Sequence, residues 1–165
     1  MMIDFKKYQH PIEVGTSFGL TSGVITTLGL MVGVYSSTAS HIAVFSSIMT
    51  IAIADAMSDA LGIHISEENE NVHTRKEIWV ATITTFLAKF CVSITFVVAI
   101  LIWPLKTAVI INIIYGILLM TAYNIRLGIK QKQSTYHVVF EHLLITGLVI
   151  TVSYYLGQLT NIILK

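Results

Sequence analysis

Between Val14 and Ala54 the chain carries no Asp, Glu, Lys or Arg. At about 20 residues per crossing, that run holds two membrane-spanning helices rather than one. The polar cluster Ser36, Ser37, Thr38 and Ser40 marks the turn between them. It predicts a first helix over 14–36 and a second over 42–66. The stretch EENENVHTRKE at 67–77 then reads as the one strongly polar loop. Thr74 and Glu77 have capping-box spacing, which starts a third helix over 78–103. That helix stops at Trp103-Pro104, an interfacial aromatic followed by a helix breaker. A fourth helix is predicted over 107–125, the segment RLGIKQKQST reads as a linker, and a fifth helix covers 137–160. Ahead of the first helix, Ile3, Phe5 and Tyr8 alternate with Asp4, Lys6 and Lys7, the mark of a short segment lying on a membrane surface. Pro11 then fits the first turn of the helix that follows. The expected fold class is all-α: one domain over 1–165, built from five transmembrane helices.

Composition agrees with that pattern. The 165 residues are 55% hydrophobic and 12% charged, about half the charge of an ordinary soluble domain, and the mean hydropathy is +0.77. Loop charge gives an orientation. Lys6, Lys7, Arg75, Lys76, Arg126, Lys130 and Lys132 lie on the side of the N-terminus, while Lys106 and Lys165 lie on the other. Seven against two predicts a cytoplasmic N-terminus and an outer C-terminus. A net charge of +1 gives no reason to expect nucleic acid as a partner. The single Cys91 allows no internal disulfide. The segment MMIDFKKYQHPIEV lacks an apolar core followed by a small-residue cleavage site, so no cleavable signal peptide is expected. The expected setting is the cell membrane, or an organelle membrane, with lipid as the surrounding partner.

Two carboxylates interrupt the second predicted helix. Asp55 and Asp59 are four residues apart, one turn above the other on one face, and Gly62 and Ser66 continue that face. A carboxylate at mid-bilayer costs about 2.5–3.5 kcal/mol on insertion scales, so two on one stripe need a reason. One reason is chemical: together they can hold a hard divalent cation, with Ser22 and water completing the shell, or carry protons. The other is structural: Lys89, in the third predicted helix, pairs with one of them. One Lys does not neutralise two Asp, so the structural account leaves an excess negative charge. Met57 and His64 flank the stripe as softer candidate ligands. Glu67, Glu68 and Glu70, with His73, read as an acidic entrance loop for cations or as a solvated turn.

The first predicted helix carries Gly15, Gly19 and Gly23 every four residues, and Gly29 and Gly33 repeat the spacing. Small residues at that period let a second helix approach closely in lipid, either a neighbour in the chain or a helix of a second copy. The same helix resembles the vacuolar iron transporter family, whose first helix runs GLxDGxxTTLGLxxGV. Gly19, Leu20, Gly23, Thr26, Thr27, Leu28, Gly29, Leu30, Gly33 and Val34 fit that pattern. Ala60, Gly62 and Ser66 fit the family's second helix, and SYYLGQL at 153–159 is similar to its Tyr-x-x-Gly stretch. The resemblance implies five helices, metal transport and a homodimer with its path between subunits. The chain also departs from the pattern. The family's first-helix aspartate is Ser22, the glutamate after the second-helix glycine is Ile63, and the methionine three residues before that glycine is Asp59. An Asp in place of a Met moves the expected preference from Fe²⁺ towards harder ions such as Mn²⁺ or Mg²⁺.

Enzyme motifs are not found. His137, Glu141 and His142 spell HxxxEH, one residue longer than the HxxEH zinc spacing, and only His137 and Glu141 share a face. There is no P-loop, HExxH or CxxC in the sequence. The expectation is therefore not an enzyme and no resident cofactor. It is a secondary transporter of a divalent cation, Fe²⁺ or Mn²⁺, with a path lined by the first two helices. The alternative is a non-transporting membrane scaffold of the same fold.

Overall fold

The computed structural model describes residues 5–132 and 134–164, which form helices and short connections with no strand among the described residues. The elements are α1 (Phe5–Thr38), α2 (His41–Thr50), a π-helical turn (Ile51–Asp55), α3 (Ala56–Glu70), α4 (Arg75–Ile102), α5 (Leu105–Gln131) and α6 (Thr135–Ile163). The segments Lys7–Thr38, His41–Glu70, Arg75–Ile102, Leu105–Gln131 and Thr135–Ile163 are each long and apolar enough to cross a membrane. Five such helices is the number expected from the hydropathy pattern.

The ends differ from the expected ones, mostly because helix formation does not stop where the apolar pattern stops. Glu, Lys, Arg, Gln and Leu are all good helix formers in water. The EENE segment therefore extends α3 to Glu70, and RLGIKQ extends α5 to Gln131. The expected acidic loop shrinks to 71–74, so Glu67, Glu68 and Glu70 are helical rather than loop residues. The expected surface segment over 3–13 is likewise corrected where it is described: from Phe5 onward it is the start of α1, with Pro11 inside that helix. Ile3, Asp4 and Lys165 lie outside the described residues. Ala39, Asn71 and Lys132 follow α1, α3 and α5 with φ of 48°, 54° and 53°. These left-handed residues end the helices without a glycine, at about 1–2 kcal/mol for a residue with a Cβ and less for Asn. The capping box before α4 forms as expected. The Thr74 backbone N–H donates to Glu77 Oε2 at 2.7 Å, and the Glu77 N–H donates back to Thr74 Oγ1 at 3.5 Å.

The chain divides into two compact units: residues up to Gly23 with Met49–Thr95, and Val24–Ile48 with the chain from Phe96 onward. In the first unit α1 lies against α4 at glycine distance. A Cβ on Gly15 would stand 2.5 Å from the Ala81 carbonyl oxygen, and one on Gly19 would stand 2.5 Å from that of Thr85. A Cβ on Gly23 would be 3.4 Å from the Lys89 Cα. In the second unit Gly29 and Gly33 face Val149 and Ser153 of α6 in the same way. Gly157, from the SYYLGQL stretch, closes on the Gly33 carbonyl and on Ser36. Ser36 Oγ donates to the carbonyls of Gly33 and Tyr154, each at 3.0 Å. Asn112, almost fully buried, donates to the Phe96 carbonyl at 2.9 Å, which satisfies its amide inside an apolar core. All five α1 glycines are thus in use within the chain.

Candidate functional site

The site lies in the first unit, at mid-helix positions. The Ala56 N–H bonds to the carbonyl of Ile51, five residues back, as in a π turn. Such single wide turns are rare in helices and often coincide with functional positions. Asp55 is the last residue of this turn. From Asp55 onward the helix is regular, so Asp59 stands one α turn further along the same face. Ser22 lies near the middle of α1 and Lys89 near the middle of α4.

These four side chains meet. Lys89 Nζ is 2.5 Å from Asp55 Oδ2 and 2.5 Å from Asp59 Oδ2, and it donates to Ser22 Oγ at 2.9 Å. Ser22 Oγ in turn donates to Asp59 Oδ2 at 2.6 Å. The Lys89 side chain has no solvent exposure. Two carboxylates and one ammonium leave a formal charge of −1. The two carboxylates are not equivalent. Asp59 Oδ2 accepts aligned hydrogen bonds from both Ser22 and Lys89, and its side chain is 19% exposed. Asp55 is within ion-pair distance of Lys89, but its Oδ2 receives no aligned hydrogen bond. Its side chain is 37% exposed. Asp59 is held by geometry and charge; Asp55 is held by charge.

The other sequence candidates stand elsewhere. Met57 and His64 line a cavity of about 350 Å³ with Leu61, Trp79, Thr82 and Phe86. His64 Nδ1 bonds Thr82 Oγ1 at 2.9 Å, and its ring meets Trp79 edge-on at 4.8 Å. At about 100° per residue, Met57 and His64 share a face turned well away from Asp55 and Asp59. The structure brings neither to the carboxylates. Glu67 is buried on α3 and pairs with His73 Nδ1 at 2.9 Å, and His73 lies 5.5 Å from the ring of His10. Glu67 is therefore tied to a histidine, while Glu68 and Glu70 are exposed. His137 bonds Ser134 Oγ and His142 bonds the Val138 carbonyl, two local contacts, and Glu141 is exposed. Among the described residues no group of three or more His, Cys, Asp or Glu is gathered closely enough to hold a metal ion. The carboxylates of Asp55 and Asp59 are the hard oxygen donors present, and a cation held there would need water to complete its shell. Sequence reasoning missed the contacts of His10 and Thr82, which no spacing motif marks. Comparison of the chain with known protein families, with curated proteins and with solved structures finds no match.

Proposed function

We propose that the chain is a secondary transporter of divalent metal cations, of the Fe²⁺ or Mn²⁺ kind, with its path beside α1 and the helix of Asp55 and Asp59. The observation that carries this reading is the net negative cluster of Ser22, Asp55, Asp59 and Lys89 at the centres of helices long enough to span a bilayer. Ionisable groups at that depth are expensive and, as a rule, mark ion or proton pathways. All-oxygen ligands suit hard cations. The resemblance of α1 to vacuolar iron transporters supports the same reading. With no P-loop in the sequence, the driving force we propose is an ion gradient. The test is uptake by proteoliposomes offered Fe²⁺, Mn²⁺, Co²⁺, Zn²⁺ and Mg²⁺, with and without a pH gradient. We expect uptake of at least Mn²⁺ above protein-free vesicles; no flux of any of the five would remove the reading.

One observation favours the scaffold alternative: Lys89 is fully buried and touches both carboxylates, as a structural ion pair would. That alternative leaves the excess charge without a role.

The proposal includes a cytoplasmic N-terminus, from the loop charges, and a homodimer. The α1 glycines pack against α4 and α6 within the chain, one of the two uses their spacing allows, and the subunit interface we propose lies elsewhere. Ala54, Ser58, Gly62 and Ser66 are the small residues left exposed in one stripe on the second span, and a Cβ on Gly62 meets nothing within 4 Å. Such a stripe suits close helix pairing in lipid. With Cys91 replaced, one set of single cysteines tests both points. Asn71→Cys should resist membrane-impermeant reagents from outside, and Ser58→Cys should crosslink two subunits. Outside labelling of the first, or no crosslink at the second, would overturn the corresponding point.

A further inference from the structure

We propose that Lys89 is the resident cation of the carboxylate pair, and that a transported cation binds by replacing its ammonium on Asp55 while Asp59 and Ser22 stay with Lys89. The inference rests on the transporter reading above and names the exchange by which the site is loaded. Three oxygens already surround the Lys89 ammonium, from Asp55, Asp59 and Ser22. This is the beginning of an oxygen shell such as a hard cation takes, with a tethered charge at its centre. The tether does not withdraw easily. Gly23 of α1 lies against the Lys89 backbone and Cγ, and the side chain is wholly buried. The exchange must therefore happen at a carboxylate, and the two differ in the way this requires. Asp59 is fixed by hydrogen bonds from Ser22 and Lys89. Asp55 lacks an aligned donor on its Oδ2, is the more exposed of the two, and sits at the end of the π turn. That turn is a wider form of helix than its neighbours, of a kind often found at functional positions, and it ends at Asp55, one turn before Asp59.

A charged lysine beside the incoming ion also weakens its binding, which favours release. This gives the experiment its sign. Mn²⁺ binding to the purified protein in detergent is measured from the loss of the free-ion paramagnetic signal. Lys89→Gln should bind Mn²⁺ about tenfold or more tightly than wild type, because one repelling charge in a low dielectric is gone. Lys89→Arg, which keeps the charge, should not. Lys89→Met/Asp59→Asn removes both halves of the fixed ion pair together and leaves the formal charge at −1. It should bind Mn²⁺ at least as tightly as wild type, although a carboxylate has been lost. A site that used both carboxylates as ligands would lose binding in that double variant. Unchanged or weaker affinity in Lys89→Gln, or lost affinity in the double variant where Lys89→Gln does not fold, overturns the proposal while wild-type uptake persists. A wild-type protein that neither binds nor moves any of the five ions overturns the transporter reading and this proposal together.

Discussion

Gly19→Leu should yield no folded protein, and Gly19→Ala should lower the unfolding midpoint in detergent by several degrees. A Cβ at this position would stand 2.5 Å from the Thr85 carbonyl oxygen, 2.9 Å from the Ala88 Cβ and 3.1 Å from the Lys89 backbone nitrogen. Two of these three neighbours are backbone atoms and the third is fixed to the backbone, so no side chain can swing aside. The helices must separate, and overpacking of this kind costs about 1–3 kcal/mol per methyl-sized intrusion. For a chain of this length each kcal/mol is worth about 2–4 °C. Separation here also pulls α1 from the turn of α4 that carries Lys89, so the loss reaches the ion pair. Gly147→Ala, in α6 and away from the stripe proposed for subunit pairing, is the control. It adds the same methyl where nothing stands within 4 Å, and alanine is the better helix former by about 1 kcal/mol. That variant should be as stable as wild type or more so. Gly19→Leu protein that unfolds at the wild-type temperature would show that α1 does not approach α4 as described.

The same glycines show how far the sequence could be read. Their period was enough to say that a helix packs closely on α1, because only small residues permit it. It could not say which helix, since Gly15 and Gly19 meet α4 while Gly29 and Gly33 meet α6, and the partner side of such a contact is backbone with little sequence signature. The site was legible for the opposite reason. Asp55, Asp59 and Lys89 are costly in an apolar helix, so each is conspicuous, and charge alone pairs them. The helical wheel also had the information to set Met57 and His64 apart from the carboxylates, which the flanking positions obscured. The π turn was not legible. Nothing in Ile51-Ala-Ile-Ala-Asp55 demands an extra residue per turn. The ends of α3 and α5 differ from the expected ones because apolar periodicity marks the apolar part of a helix, while good helix formers carry the helix on into polar sequence.

Asp55→Asn should abolish cation uptake in a protein that folds as well as wild type, whereas Asp59→Asn should lose uptake and stability together. The asymmetry follows from the hydrogen bonds. Removing the Asp59 charge weakens the bonds from Ser22 and from the Lys89 ammonium, and hydrogen bonds to charged groups are worth about 1.5–3 kcal/mol each. Removing the Asp55 charge breaks no aligned bond, and it leaves Asp59 and Lys89 as a neutral pair. Lys89→Met is the harsher change: it leaves two carboxylates facing each other in the first unit without their cation. Breaking a buried pair from one side costs about 3–5 kcal/mol. A second change, Asp55→Asn or Asp59→Asn, removes one of the two uncompensated charges and should recover part of that loss. Uptake and thermal unfolding measured on the same preparations separate the two kinds of defect. Should Asp55→Asn and Asp59→Asn both move cations at the wild-type rate, the carboxylates serve only to neutralise Lys89, and the chain is a membrane scaffold with a buried ion pair.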